Sequence, residues 1–187
     1  FSDKELEKLH HILKEHNIFV SAIASPIGKI KIGEDFSPHF DRFRCAVKAA
    51  KILEAKRIRI FSFFLSPEDD PQLCRTEVIR RLKQICDYAN QHGVRCCHEN
   101  EKGIYGDTAE RVQDLHRECK ESMGGIFDPA NYVQCGVQPV KAFPILSPYI
   151  DYLHVKDALF SDGSVVPPGE GDGDIRQILD FYRCPGE

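Results

Sequence analysis

No apolar run in this 187-residue chain approaches the ~20 residues that a bilayer-crossing helix requires, so a helical membrane span is excluded. The start, Phe1-Ser2-Asp3-Lys4-Glu5, has neither an initiator Met nor a basic-then-apolar secretory pattern, so the expectation is a processed or truncated end. Positive charge is not in excess: 25 Lys and Arg against 29 Asp and Glu leave a net charge of −4, which gives a nucleic-acid backbone no electrostatic hold. The eight cysteines (45, 74, 86, 96, 97, 119, 135 and 184) form no CxxC pair, which argues against a cysteine zinc site. The adjacent Cys96-Cys97 falls in an apolar stretch, so the expectation is reduced thiols in a cytoplasmic protein rather than a disulfide framework. Ser/Gly linkers and low-complexity tracts are missing too, and residues 1–187 read as one domain.

What is present is an alternation of amphipathic segments and short apolar runs. Ser2 and Glu5 form a capping box before Leu6, Leu9, Ile12 and Leu13, predicting a helix to about His16. Ile18–Ala24 reads as a strand stopped at Ser25-Pro26, and Ser37-Pro38 opens a helix through Phe43, Val47, Ala50 and Leu53. Strands are predicted over Arg57–Phe64, Val94–Glu99, Gly125–Asp128 and Ile150–Val155. Between them lie helices from Asp70-Pro71 to Gly93, from a cap at Asp107, and over residues 139–148.

Such alternation implies parallel strands, because antiparallel neighbours need only short turns. A doubly wound nucleotide binder would carry its Gly-rich turn after the first strand. The only Gly-dense stretch, Gly169-Glu170-Gly171-Asp172-Gly173-Asp174, lies late in the chain and follows a loop. Of the two choices, an open doubly wound sheet and a (β/α)8 barrel, the barrel therefore leads.

In that architecture functional groups gather at the carboxyl ends of strands. Glu99, Asp128 and His154 stand at three successive strand ends, 29 and 26 residues apart, so the spacing brings them to one mouth. Alternation puts Glu99 on the face of Cys97 and His154 on that of Tyr152 and Lys156, with Leu153 and Val155 turned to the helices. Two carboxylates and an imidazole suit a divalent cation such as Mn²⁺, Mg²⁺, Co²⁺ or Zn²⁺. Each residue also has a structural alternative: Glu99 as a surface carboxylate, Asp128 as a helix cap, His154 as a core histidine, Lys156 as a partner of Asp157. Lys156 is the candidate for holding a substrate oxyanion, and Lys29 and Arg59 are candidates for lining the substrate pocket.

His98-Glu99-Asn100-Glu101, Phe127-Asp128-Pro129-Ala130-Asn131, His154-Val155-Lys156-Asp157 and Gly169-Glu170-Gly171, together with Ile23–Lys29 and Arg59–Phe63, resemble the xylose-isomerase-like TIM barrels over nearly the whole chain. The nearest branch is that of the sugar phosphate isomerases and epimerases. The resemblance implies Glu99, Asp128 and His154 as three of four metal ligands, the fourth being a Glu on a later strand with which Glu187 is not equated. The family's Asp-x-x-His is here Asp128-Pro129-Ala130-Asn131, which puts Asn131 where a substrate-contacting histidine stands.

The implied chemistry is divalent-metal-dependent isomerisation or epimerisation of a sugar, sugar phosphate or inositol-type substrate. Glu99 and Lys156 would be catalytic, Lys29, Arg59, Asn131 and Lys156 would touch substrate, and an enediolate would form by proton abstraction beside a carbonyl. A degenerate sugar-binding barrel is the alternative, and an endonuclease IV-like nuclease is disfavoured by the charge. A barrel takes about 250 residues, so the reading is of an incomplete one, with about five strands and the first and last two absent. The expected partner is a small molecule, without nucleic acid or membrane and with a possible homo-oligomer.

Overall fold

The computed structural model describes residues 1–183, so Cys184 and Glu187 lie outside the described residues. Helix α1 (Asp3–Glu15) begins with the capping box, Ser2 accepting from the Glu5 N–H while the Glu5 carboxylate takes the Ser2 N–H at 2.6 Å. Of its apolar stripe only Leu6 is buried.

The residues that follow depart from expectation. Ile18–Ala24 forms no strand and touches the sheet through a single bridge, Ile23 to Ile58. Ile23 exchanges two backbone hydrogen bonds with Arg57 and Arg59. Earlier in the segment Phe19 is 85% exposed, and among the described residues nothing pairs with its outer side, so no ladder extends it.

The sheet has four parallel strands, β1 (Arg57–Ile60), β2 (Arg95–Glu99), β3 (Met123–Phe127) and β4 (Ile150–Leu153), in the order β1-β2-β3-β4. β1 is shorter than predicted because Phe63 takes a positive φ of 67° and leaves Phe64 with isolated bridges only. An order that never reverses has no switch point of the doubly wound kind, and the arrangement is that of an incomplete (β/α)8 barrel.

Helices α2 (Ser37–Ile52) and α3 (Pro71–Gln91) cover β1 and β2, burying Phe43, Val47, Val78, Leu82 and Ile85 against Ile58, Ile60 and Cys96. A second core joins α4 (Ala109–Cys119), α5 (Pro129–Gln134), α6 (Pro139–Leu146) and α7 (Ile175–Arg183) around Val112, Phe127, Tyr132, Phe143 and Ile178. The cap of α4 is Thr108, not Asp107: the Thr108 hydroxyl accepts from the Arg111 N–H, while Asp107 pairs with the Arg111 side chain. Leu153 packs on the second core as expected, but Val155 is 55% exposed instead of facing helices, because β4 ends at Leu153 and the pleat does not continue. The described cysteines are all free, and Cys86, Cys96, Cys97 and Cys119 are buried.

Two local features carry consequences. Gly28 has φ +93°, and a Cβ there would overlap the Phe61 carbonyl. Its N–H donates to His39 Nε2 at 2.8 Å, and Phe61 N donates to the Ile27 carbonyl, so residues 25–29 lie directly on the chain beyond β1. Gly28→Ala should therefore destabilise the fold by about 1–3 kcal/mol from backbone strain alone, more if Phe61 cannot shift, read as a lowered midpoint in thermal unfolding.

The second feature is a pair of buried histidines. His98 and His116 are pushed down to about 3 and about 4 by loss of hydration, aided by His116 near the first and Arg95 near the second. Both are neutral in the folded protein at pH 7. Below 6.5 the unfolded chain takes up protons that the native His116 refuses, so stability falls from there and the loss is complete near pH 4. A shift of this size corresponds to about 3 kcal/mol. In His116→Gln the decline in urea-unfolding free energy between pH 6.5 and 4 should shrink by up to that amount, and an unchanged pH profile would refute the assignment.

Candidate active site

The carboxyl edge of the sheet collects side chains from all four strands. Glu99 is the last residue of β2, Asp128 directly follows β3, and His154 and Lys156 follow β4. One ligand atom each from Glu99, Asp128 and His154 lies within 4.8 Å of the others. His154 Nδ1 is 3.0 Å from Glu99 Oε1 and 3.5 Å from Asp128 Oδ2. Glu99 is thus no surface carboxylate: it is 4% exposed and Asp128 1%.

Asp128 has two jobs, one per oxygen. Oδ1 accepts the Asn131 N–H and caps α5, while Oδ2 faces His154 and, at 3.8 Å, the Lys156 ammonium. Its backbone is held by Asn100, whose Oδ1 accepts the Asp128 N–H at 2.9 Å and whose Nδ2 donates to the Asp128 carbonyl at 3.0 Å. The Asn100 amide thereby prolongs the β2–β3 pairing by one rung beyond the strands.

Arg59, on β1, places Nη1 3.2 Å from Glu99 Oε2 without the alignment of a hydrogen bond, so this buried oxygen has a charged neighbour and, among the described residues, no donor. Lys29 points back from its loop to Glu101, 2.6 Å away, and its ammonium stands 4.3 Å from the centre of the Phe61 ring that Arg59 also approaches. Lys156 donates to Asn131 Oδ1 at 2.8 Å, and the alternative of a pair with Asp157 is not formed. Asn131 itself is buried, its Nδ2 shared between the Asn100 carbonyl and Glu99 Oε1.

Hydrogen bonding to Asp128 first, and to Glu99, holds the His154 imidazolium, pushed up to about 9. One step below Glu99 on the same face, the Cys97 thiol is pushed well up by burial and by Asp151, which leaves it no thiolate nucleophile. The donor set fits a divalent cation: two buried carboxylates and an imidazole converge, and Glu99 Oε2 has no hydrogen-bond donor. A proton on His154 and a divalent ion are alternative ways of balancing the same two acidic groups.

Sequence reasoning missed two supports. Asn100 was legible only as part of a polar run. Asp157, the first residue of β5 (Asp157–Ala158), which pairs antiparallel with β6 (Val165–Val166), was read only as a partner for Lys156. Wholly buried, its carboxylate takes backbone N–H groups from Ala158, Gly169, Gly171 and Gly173 at 2.7–3.1 Å. A Cβ on Gly171 or Gly173 would come within 2.5 or 2.6 Å of Asp157 Oδ1, so the alternate glycines of that stretch are the signal that could have found it.

Among known proteins, the 3-dehydroshikimate dehydratase of Bacillus anthracis is 24% identical over 157 residues, 83% of this chain and 56% of the relative, so the chain spans little more than half of that curated protein. The crystal structure of the probable 3-DHS dehydratase AsbF from Bacillus anthracis superposes with TM-score 0.81 at 21% identity, covering 96% of this chain and 72% of that one. A D-tagatose 3-epimerase-like protein gives 0.79 at 16%, covering 97% and 72%. A barrel from Mycobacterium smegmatis in complex with magnesium gives 0.76 at 19%, covering 98% and 68%. These structural likenesses establish the fold. With a family model matching residues 1–183, the chain belongs to the xylose isomerase-like TIM barrels.

Proposed function

We propose that this protein is a divalent-metal-dependent isomerase or epimerase of a sugar, sugar phosphate or inositol-type substrate, with Glu99, Asp128 and His154 holding the ion. The observation that carries the reading is the convergence of those three ligand atoms within 4.8 Å at the carboxyl edge of a parallel sheet, where barrel enzymes place their chemistry. A bound divalent ion supplies polarisation of a substrate carbonyl, which acidifies the neighbouring C–H.

The chain's own groups account for the rest. Glu99 is the base: its Oε2 has no hydrogen-bond donor and is free to accept the proton from the carbon beside the carbonyl. Arg59 and the half-exposed Lys156 flank the carboxylates with positive charge, and Lys156 is placed to donate a hydrogen bond to the oxyanion that develops as the proton leaves. Lys29, over Phe61 and paired with Glu101, forms a polar wall beside Arg59 suited to substrate hydroxyls. Returning the proton to the adjacent carbon isomerises the sugar, and returning it to the opposite face epimerises it.

The similarity to 3-dehydroshikimate dehydratase favours a second reading that begins with the same step, in which the α-proton is removed and a β-hydroxyl then leaves as water. Metal analysis and deuterium wash-in test both readings together. The purified protein, incubated in D₂O with Mn²⁺, Mg²⁺, Co²⁺ or Zn²⁺ and a panel of D-fructose, D-tagatose, a keto-inositol and 3-dehydroshikimate, should hold one divalent ion and exchange the α-hydrogen of one member. Product identity then separates isomerase, epimerase and dehydratase. Asp128→Ala should lose the ion, and Glu99→Gln should slow exchange at least about 100-fold. A fully folded protein that binds no divalent ion and exchanges no hydrogen would sink the proposal and leave a sugar-binding barrel.

A further inference from the structure

Asn131 sits where three site groups meet. Its amide is almost wholly buried, 4% exposed, and spent on protein partners: Nδ2 donates to the Asn100 carbonyl at 2.8 Å and stands 3.3 Å from Glu99 Oε1, while Oδ1 accepts from Lys156 Nζ at 2.8 Å. Its own N–H is the one that Asp128 Oδ1 caps, so the residue is fixed at the backbone as well as at the side chain. No other uncharged side chain of this length offers two donors and an acceptor from one planar group. A carboxylate would face both Glu99 Oε1 and the Asn100 carbonyl with oxygen against oxygen. An apolar isostere would strand all three partners, at the cost that buried polar groups pay when left unpaired.

We infer that Asn131 is a positioning residue, an uncharged crosspiece that ties the Glu99 carboxylate to the Lys156 ammonium and so sets both for the cation and the substrate. The inference rests on the proposed metal-holding role of Glu99 but concerns the geometry of the chain itself. Asn131 orients Glu99 from the side opposite Arg59: its amide is on Oε1, and the guanidinium is on Oε2. With Asn100 fixing the Asp128 backbone, one amide holds the Glu99 carboxylate and the other the strand end that carries Asp128, and neither amide gains or loses a proton across the working pH range. Groups in this supporting layer typically contribute 10–100-fold to metal affinity.

Two isosteric variants separate the roles. Asn131→Asp keeps an acceptor for Lys156 and replaces the donor facing Glu99, whereas Asn131→Leu removes both. In crystal structures without metal, N131D should move the Glu99 carboxylate away from His154 and leave Lys156 in place, and N131L should displace both. In Mn²⁺ titrations followed by electron paramagnetic resonance, N131L should bind about 10–100-fold more weakly than the unsubstituted protein. A merely structural role would lower the thermal midpoint while leaving Mn²⁺ affinity and the Glu99 position unchanged, and that result overturns the inference. Should the unsubstituted protein bind no Mn²⁺, the proposed function fails, and the Glu99 and Lys156 positions in N131D still decide this one.

Discussion

Two acidic side chains buried beside each other at the end of a sheet are the constraint on which the surrounding structure depends. Burial of an unpaired charge is expensive, and compensation by a single partner seldom suffices. Glu99 and Asp128 meet it with complementary partners on every open side. Arg59 reaches across from β1, His154 enters from the far strand with its imidazolium stabilised, and Lys156 closes the outer rim. The N-terminus of α5 takes the remaining oxygen of Asp128, and backbone N–H groups there carry partial positive charge suited to a carboxylate. Arg59 on β1 and the residues that follow β3 and β4 thus answer one electrostatic requirement, which the parallel order of the strands makes it possible to satisfy.

This explains why so much of the site was legible in the sequence. Glu99, Asp128 and His154 recur at intervals of one strand and one helix, and a parallel sheet with sequential order has to bring such positions together. Periodicity alone therefore sufficed for three ligand candidates, and for the helices α2 and α3, whose apolar stripes match the buried residues. It failed where structure depends on a neighbour instead of on pattern. Ile18–Ala24 has the composition of a strand, but β pairing is a property of two segments, and the only rung formed among the described residues is the one at Ile23. Val155 was misassigned for the same reason, since alternation holds only while the ladder lasts. At the start of α4, Asp107 and Thr108 are both good caps, and the choice turned on which side chain Arg111 engages, a tertiary contact invisible to the pattern.

Hydrogen-bond satisfaction also accounts for the late glycines. A glycine-dense loop at this position invites comparison with phosphate-binding turns, in which backbone N–H groups point outward to an anion. Here three of those N–H groups, with that of Ala158, point inward to a carboxylate already in the chain. Asp157 plays the anion, and Gly171 and Gly173 are small because the carboxylate stands where their Cβ atoms would be. The loop is anchored one residue from Lys156, so the position of that ammonium is constrained from its own backbone as well as from the Asn131 amide.

Charge and support are divided between different residue types, and the division has a physical reason. The groups gathered at the site itself, Arg59, Lys156, His154 and the two carboxylates, are ionic side chains. Those behind them, Asn100 and Asn131, are amides, with donors and acceptors fixed by covalent structure. Had the supports been titratable, each change in their own charge would have altered the hydrogen bonds they make to the site. An amide layer avoids this. Asn131 extends that layer into the site, between Glu99 and Lys156, and leaves His154 as the imidazole that faces both carboxylates.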